Sequence, residues 1–241
     1  VQNNFFCNYP YVNIFENPSN NSKISSQIIY GEKFEVLRKV KNFLKIRTSY
    51  DKYNGYIKNK KFEEKLKTTH KVKVLKTRIL KSNKFLPFSS EIEILKKKKN
   101  YVMFEKKKWI KTKDINPINQ KNKNILKILK LFLNCKYKWG GKTFNGIDCS
   151  ALIQLIYKFN NKFFPRDTVD QIKFKKGTKK KIKFRLGDII YWKGHVAICI
   201  SSKKLIHAYG PRKKVLVMEI NKTIKLIKKT ANLEVKKIFS I

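Results

Sequence analysis

The chain has no run of 18 apolar residues, so no segment is long enough to span a bilayer as a helix. Acidic residues are scarce, with 16 Asp and Glu against 58 Lys and Arg, for a net charge of +42. Such an excess fits either a polyanion partner or compositional drift. The lysines are spread through every segment and not gathered into one stripe, and Asn, Ile and Phe are abundant too, which favours drift. Weak, salt-sensitive attraction to anionic polymers follows in either case, and no specific nucleic acid is expected. The four cysteines (Cys7, Cys135, Cys149 and Cys199) form no CxxC pair and have no ligand-like spacing to the three histidines, which argues against zinc. No metal or cofactor is expected, and a chain this long needs no disulfide staples. Val1–Cys7 lacks the basic start and apolar core of a signal peptide. Together with the unpaired cysteines, this points to the cytoplasm. The missing initiator Met leaves a periplasmic or secreted precursor open.

Apolar residues make up 41% of the chain and aromatics 13%, enough to build packed cores. The most informative stretch runs from Tyr137 to Tyr157. A glycine-rich aromatic loop, Tyr137-Lys138-Trp139-Gly140-Gly141, leads to Asp148-Cys149-Ser150 and then to an almost wholly apolar segment. That segment has the length of a buried helix, with Asp148 at its N-cap. Cys149 then sits in the first turn, where the helix dipole and free N–H groups favour a thiolate. The glycine pair would let the loop's backbone approach a substrate.

Short apolar segments separated by turns predict a small barrel over residues 1–66. Residues 67–117 loosely repeat it: Glu93–Leu95 echoes Glu35–Leu37, Tyr101–Phe104 echoes Phe43–Ile46, and Lys108–Ile110 echoes Gly55–Ile57. Asn116-Pro117 marks a boundary. Beyond it, Asn124–Leu133 has apolar residues at helical spacing behind an Asn cap. From Leu186 the pattern changes to strands at Asp188–Trp192, His195–Ile200, Lys204–Tyr209 and Val215–Ile220. Helices followed by an antiparallel sheet give an α+β domain over residues 118–241.

His70 lies at a lysine-rich edge. His195 and His207 lie on successive strands. An odd hairpin loop such as Ser201–Lys203 sets residue 207 opposite 197 and brings both imidazoles onto one face, whereas an even loop separates them. With the odd loop, Cys149 gains His195 as a base and His207 to orient it. The backbone N–H of Cys149, helped by Tyr137, would hold an oxyanion. The plainer alternative is a buried cysteine with two ordinary strand histidines. Cys199, within Val196–Ile200, reads as core packing.

Tyr137–Gly141, Asp148–Ile153, Phe164–Gln171, Leu186–Trp192, His195–Ile198 and Leu205–Ala208 resemble, in order, the blocks of the NlpC/P60 cysteine peptidases. The resemblance implies a papain-like α+β fold, with Cys149, His195 and His207 as the catalytic residues and murein peptides as substrates. Ala151 stands where that family usually has glycine. The N-terminal half resembles bacterial SH3 domains. Tyr30–Glu32 and Asp51–Tyr56 look like blocks of family members that cut γ-D-glutamyl–diamino acid bonds in peptides with a free N-terminal L-Ala. By that likeness, Glu32 and Tyr53 would join Asp148, Ser150 and Thr168 around the substrate ammonium. Arg166 and Asp167 would line the same pocket or form a structural pair. Two other readings stay open: a wall-lytic endopeptidase anchored by its SH3 domains, and a basic polyanion-binding adaptor with an idle peptidase site.

Overall fold

Six strands form the N-terminal sheet of the computed structural model, which describes residues 4–241. They are β1 (Asn4–Phe6), β2 (Tyr11–Phe15), β3 (Ile24–Ile29), β4 (Lys33–Val40), β5 (Phe43–Thr48) and β6 (Asn54–Lys58). The antiparallel order is β1-β4-β5-β6-β2-β3. Cys7, Val12, Ile14, Ile28, Phe34, Ile46, Ile57 and Phe62 fill its core. Val1, Gln2 and Asn3, where the expected first domain begins, lie outside the described residues.

Eight short strands follow. They are β7 (His70–Val72), β8 (Lys76–Arg78), β9 (Phe85–Pro87), β10 (Glu91–Ile92), β11 (Lys96–Lys98), β12 (Tyr101–Glu105), β13 (Lys108–Lys111) and β14 (Ile115–Pro117). They form three small sheets, β10-β7-β14, β11-β12-β13 and β8-β9, around a core that includes Val72, Leu86, Val102 and Ile110. Tyr30 from the first barrel packs into this second core. The repeat holds for the hairpins β5–β6 and β12–β13, which carry matching apolar positions. It fails for Glu93–Leu95, which lies between β10 and β11, whereas Glu35–Leu37 lies inside β4. The two units touch closely at Gly31, which has φ +83°. A Cβ there would lie 1.9 Å from the Glu91 carbonyl oxygen, so only glycine fits.

The C-terminal part begins with α1 (Ile125–Leu131), whose Asn124 cap accepts a hydrogen bond from the Lys127 N–H. The short pair β15 (Lys142–Thr143) and β16 (Gly146–Ile147) leads into α2 (Cys149–Phe159), every residue of which is buried. After α3 (Thr168–Gln171) come β17 (Asp188–Trp192), β18 (His195–Cys199), β19 (Lys204–Tyr209), β20 (Lys214–Glu219), α4 (Ile220–Ala231) and β21 (Lys237–Ser240). The sheet order is β20-β19-β18-β17-β21, all antiparallel. Its strands alternate between two faces. Ile189, Tyr191, Val196, Ile198 and Ala208 pack with α2, and Ile190, Trp192, Ala197, Cys199 and Leu205 pack with α4. The architecture is the expected one, an α+β domain of papain-like layout behind SH3-like β units. The sequence reading stopped short of α4 and β21. Ile220, Ile224 and Ile227 carry a helical stripe that only the surrounding lysines obscure.

Candidate active site

Asp148 has an extended backbone (φ −96°, ψ 175°), and its carboxylate accepts from the Ala151 N–H at 2.8 Å, which makes it the expected cap of α2. Its remaining capacity is also taken by this chain. The Gly140 N–H donates to Oδ2 at 3.0 Å, Ser150 Oγ donates to Oδ1 at 3.1 Å, and Arg166 binds both oxygens at 3.1 and 2.6 Å. Arg166 also donates to Ser150 Oγ (2.8 Å) and, through Nε, to Ser26 Oγ on β3 (2.9 Å). The first barrel therefore reaches the residue beside Cys149 through a single guanidinium.

Cys149 is 5% exposed. Burial pushes its thiol up to about 12, and the Asp148 charge adds to this. Backbone hydrogen bonds from Val196 and Ser150 and the Arg166 charge pull the other way. The expectation of a thiolate at rest therefore fails, because desolvation outweighs the helix start. The Val196 contact puts the sulfur against the backbone of the residue that follows His195.

The β18–β19 ladder pairs Ile198 with Ile206 and Cys199 with Leu205, and Ile200 donates to the Lys204 carbonyl. The loop is thus the odd one, Ser201–Lys203, and the same register sets His207 opposite Ala197. His195 Nε2 and His207 Nδ1 lie 2.9 Å apart. Tyr209 stacks on His207 with ring centroids 4.6 Å apart and planes at 9°. Burial lowers His195 to about 4. Burial, with the His195 charge adding, lowers His207 to about 3. Around neutral pH this leaves the thiol and both imidazoles neutral. With Nε2 engaged by His207, the Nδ1 atom of His195 is the one left to act as a base.

Tyr137 is half-buried near Cys149. Its phenol is raised by burial first and then by the Cys149 and Asp148 charges, so it stays protonated and able to donate. Gly140 (φ +70°) and Gly141 each sit where the backbone packs closely. A Cβ on Gly140 would sit 2.5 Å from the Ile24 carbonyl oxygen, and one on Gly141 would sit 2.4 Å from the Gly146 oxygen. The pair lets the loop pack on the first barrel and on β16.

Three groups expected to hold an ammonium already have internal partners. Asp148 and Ser150 are saturated as described. Glu32, 5% exposed, accepts from Lys142 Nζ at 2.8 and 3.1 Å and from the Ile29 N–H at 2.8 Å, with Lys158 Nζ 3.6 Å away. A carboxylate already faced by two ammonium groups in a dry junction offers little to a third. Tyr53 has a different setting. Its phenol is raised by burial first, and Ser25, Asp167 and Arg166 lie close enough to act on it. Thr168, half-buried, follows Asp167 at the start of α3. Asp167 is held above the usual carboxylate range by burial, against the pull of Arg166 and the neighbouring Tyr53. Sequence reasoning left Asp167 between pocket and structural pair and passed over Ser25 and Ser26. Only the barrel's placement brings the two serines here.

Residues 134–231 match the NlpC/P60 family, and residues 10–62 match the bacterial SH3 domain. Gamma-D-glutamyl-L-lysine dipeptidyl-peptidase of Bacillus subtilis (strain 168) is 25% identical over 230 residues, 83% of this chain and 77% of that protein. Dipeptidyl-peptidase 6 of Lysinibacillus sphaericus is 22% identical over 234 residues, 81% of this chain and 84% of that one. The crystal structure of an NlpC/P60 family protein from Bacillus cereus superposes with a TM-score of 0.78 at 18% identity, covering 90% of this chain and 94% of its own. That likeness is one of fold. The sequence matches show that the chain carries an NlpC/P60 domain over residues 134–231 with a bacterial SH3 domain ahead of it, and that it is a cysteine-type peptidase.

Proposed function

We propose that this enzyme hydrolyses the bond between γ-D-glutamate and a diamino acid in short murein peptides with a free N-terminal L-Ala, as a step in peptide recycling. The observation that carries the reading is the nearness of the barrel's Tyr53 to the half-buried Asp167 carboxylate, close enough for each to act on the other's ionisation. Asp167 adjoins Arg166, and Arg166 holds Asp148 beside Cys149. A half-buried carboxylate with capacity for donors suits a substrate ammonium. In this reading Asp167 takes over the role that Asp148 and Glu32 cannot fill. An end wall of this kind admits a free terminus and excludes a blocked one, which favours released peptides over intact wall. The name of the Bacillus subtilis relative points to the same bond class.

The chemistry follows from the protonation states. His195 takes the thiol proton at Nδ1 as Cys149 Sγ attacks the γ-carbonyl carbon, so the charge pair exists only during reaction. The Cys149 N–H, in a first turn with no i−4 carbonyl to bond, and the Tyr137 hydroxyl stabilise the oxyanion. The C–N bond breaks as His195 returns its proton to the leaving amine. Water, deprotonated by His195, then cleaves the thioester. Incubation with L-Ala-γ-D-Glu-diaminopimelate should release L-Ala-γ-D-Glu, and N-acetylation of the substrate should block release. Equal turnover of the acetylated peptide would overturn the end-wall reading, and absence of any cleavage would overturn the substrate assignment.

A further inference from the structure

We propose that Met218 is a positioning residue of the catalytic relay, and that its thioether selects the tautomer in which His195 can act as a base. His207 is fully buried, and its two ring nitrogens have one neighbour each: Nδ1 faces His195 Nε2 at 2.9 Å, and Nε2 faces Met218 Sδ at 3.3 Å. Met218 reaches it from β20, where it pairs with Leu205, two residues before His207 on the same face of β19.

Only one proton sits on each neutral imidazole, so the 2.9 Å contact has two forms. In the first, His195 donates from Nε2 and His207 accepts at Nδ1. His195 Nδ1 then has a lone pair for the thiol proton, and the His207 Nε2–H points at a sulfur that can accept it. In the second, His207 donates from Nδ1. His195 then carries its proton on Nδ1 and cannot serve as the base, and the bare His207 Nε2 meets the sulfur lone pairs. With His207 sealed from water, nothing else at Nε2 distinguishes the two forms. The sulfur favours the first, and its influence reaches Cys149 through two rings. Tyr209, stacked on His207, limits ring tilt but does not discriminate between the nitrogens.

Met218→Leu keeps the volume and removes the acceptor. Losing a partner for a buried donor, on the order of 1–2 kcal/mol, corresponds to a fall in kcat of about 5–30-fold with KM unchanged. Met218→Gln returns an acceptor oxygen at similar reach and should restore most of kcat. Imidazole 15N shifts read the tautomer without any substrate, so they hold even if the proposed substrate is wrong. Wild type and Met218→Gln should show protonated Nε2 on His207, and Met218→Leu should show a mixture. Thermal melting of all three confirms folding. An unchanged Nε2–H population in folded Met218→Leu overturns the proposal, as does a kcat loss that Met218→Gln leaves uncorrected despite a wild-type melting temperature.

Discussion

The two sides of Cys149 are built from opposite materials. On the barrel side lies a saturated charge network, in which Arg166 ties Asp148, Ser150 and Ser26 together and every oxygen of Asp148 is occupied. On the sheet side, two imidazoles meet in an apolar setting that strips their charge, His195 at about 4 and His207 at about 3. The difference separates two tasks. Paired charges hold geometry because breaking a pair leaves an ion stranded. Neutral rings can pass a proton because neither is committed to holding one. The cysteine sits between a rigid anchor and a responsive relay.

The largest effect expected is loss of the nucleophile or its base. Cys149→Ala and His195→Ala should each lower kcat by roughly 1,000-fold or more, with the fold and peptide binding retained. Turnover by either variant within tenfold of wild type would place the chemistry elsewhere. On the anchor side the principal effect is on stability. Arg166→Leu leaves the Asp148 carboxylate buried without its counter-ion and should cost about 3–5 kcal/mol in denaturant unfolding. Adding Asp148→Asn should recover part of that loss, because the stranded charge goes with it. A single variant as stable as wild type would mean that the two sides are less different than their geometry indicates.

A third prediction sharpens the anchor side by separating its structural carboxylate from the one proposed to face substrate. Asp167→Asn should raise KM for a peptide with a free N-terminal amine about 10–100-fold, the worth of one hydrogen bond to a charged group. Stability and the rate of Cys149 alkylation should stay near wild type. If Asp167→Asn left KM unchanged and an Arg166 or Glu32 variant raised it, the ammonium would lie deeper in the network.

What the sequence disclosed follows the same division. The helix cap and the histidine pair were partly legible because their determinants are local: the Asp148 cap follows from the spacing to Ala151, and the His195–His207 register turned on whether the loop is odd, which the structure shows as Ser201–Lys203. The anchor was not. Lys142 and Glu32 are 110 positions apart, and Arg166 and Ser26 are 140 apart. Among so many lysines, no pattern singles out the two that enter the junction. Nor did it show that the helix-start cysteine would be desolvated, because that depends on Val196 and the packed sheet covering it.

The smallest effect expected is a pH dependence, and it tests the relay side alone. An unfolded histidine titrates near 6.5, whereas His195 and His207 titrate at about 4 and about 3 in the fold. Below pH 6.5 the unfolded chain therefore takes up protons that the folded chain refuses. Stability due to these rings is complete above pH 6.5 and falls as pH drops toward 4. His207→Gln should flatten that slope in melting temperature between pH 6.5 and 4, and Met218→Gln should leave it in place. The activity profile follows from the same shifts. The free enzyme should keep a neutral base well below pH 6, so kcat/KM should show no acid limb near 6.5 and should decline only toward pH 4. A limb at 6.5 would mean that water reaches the histidine pair.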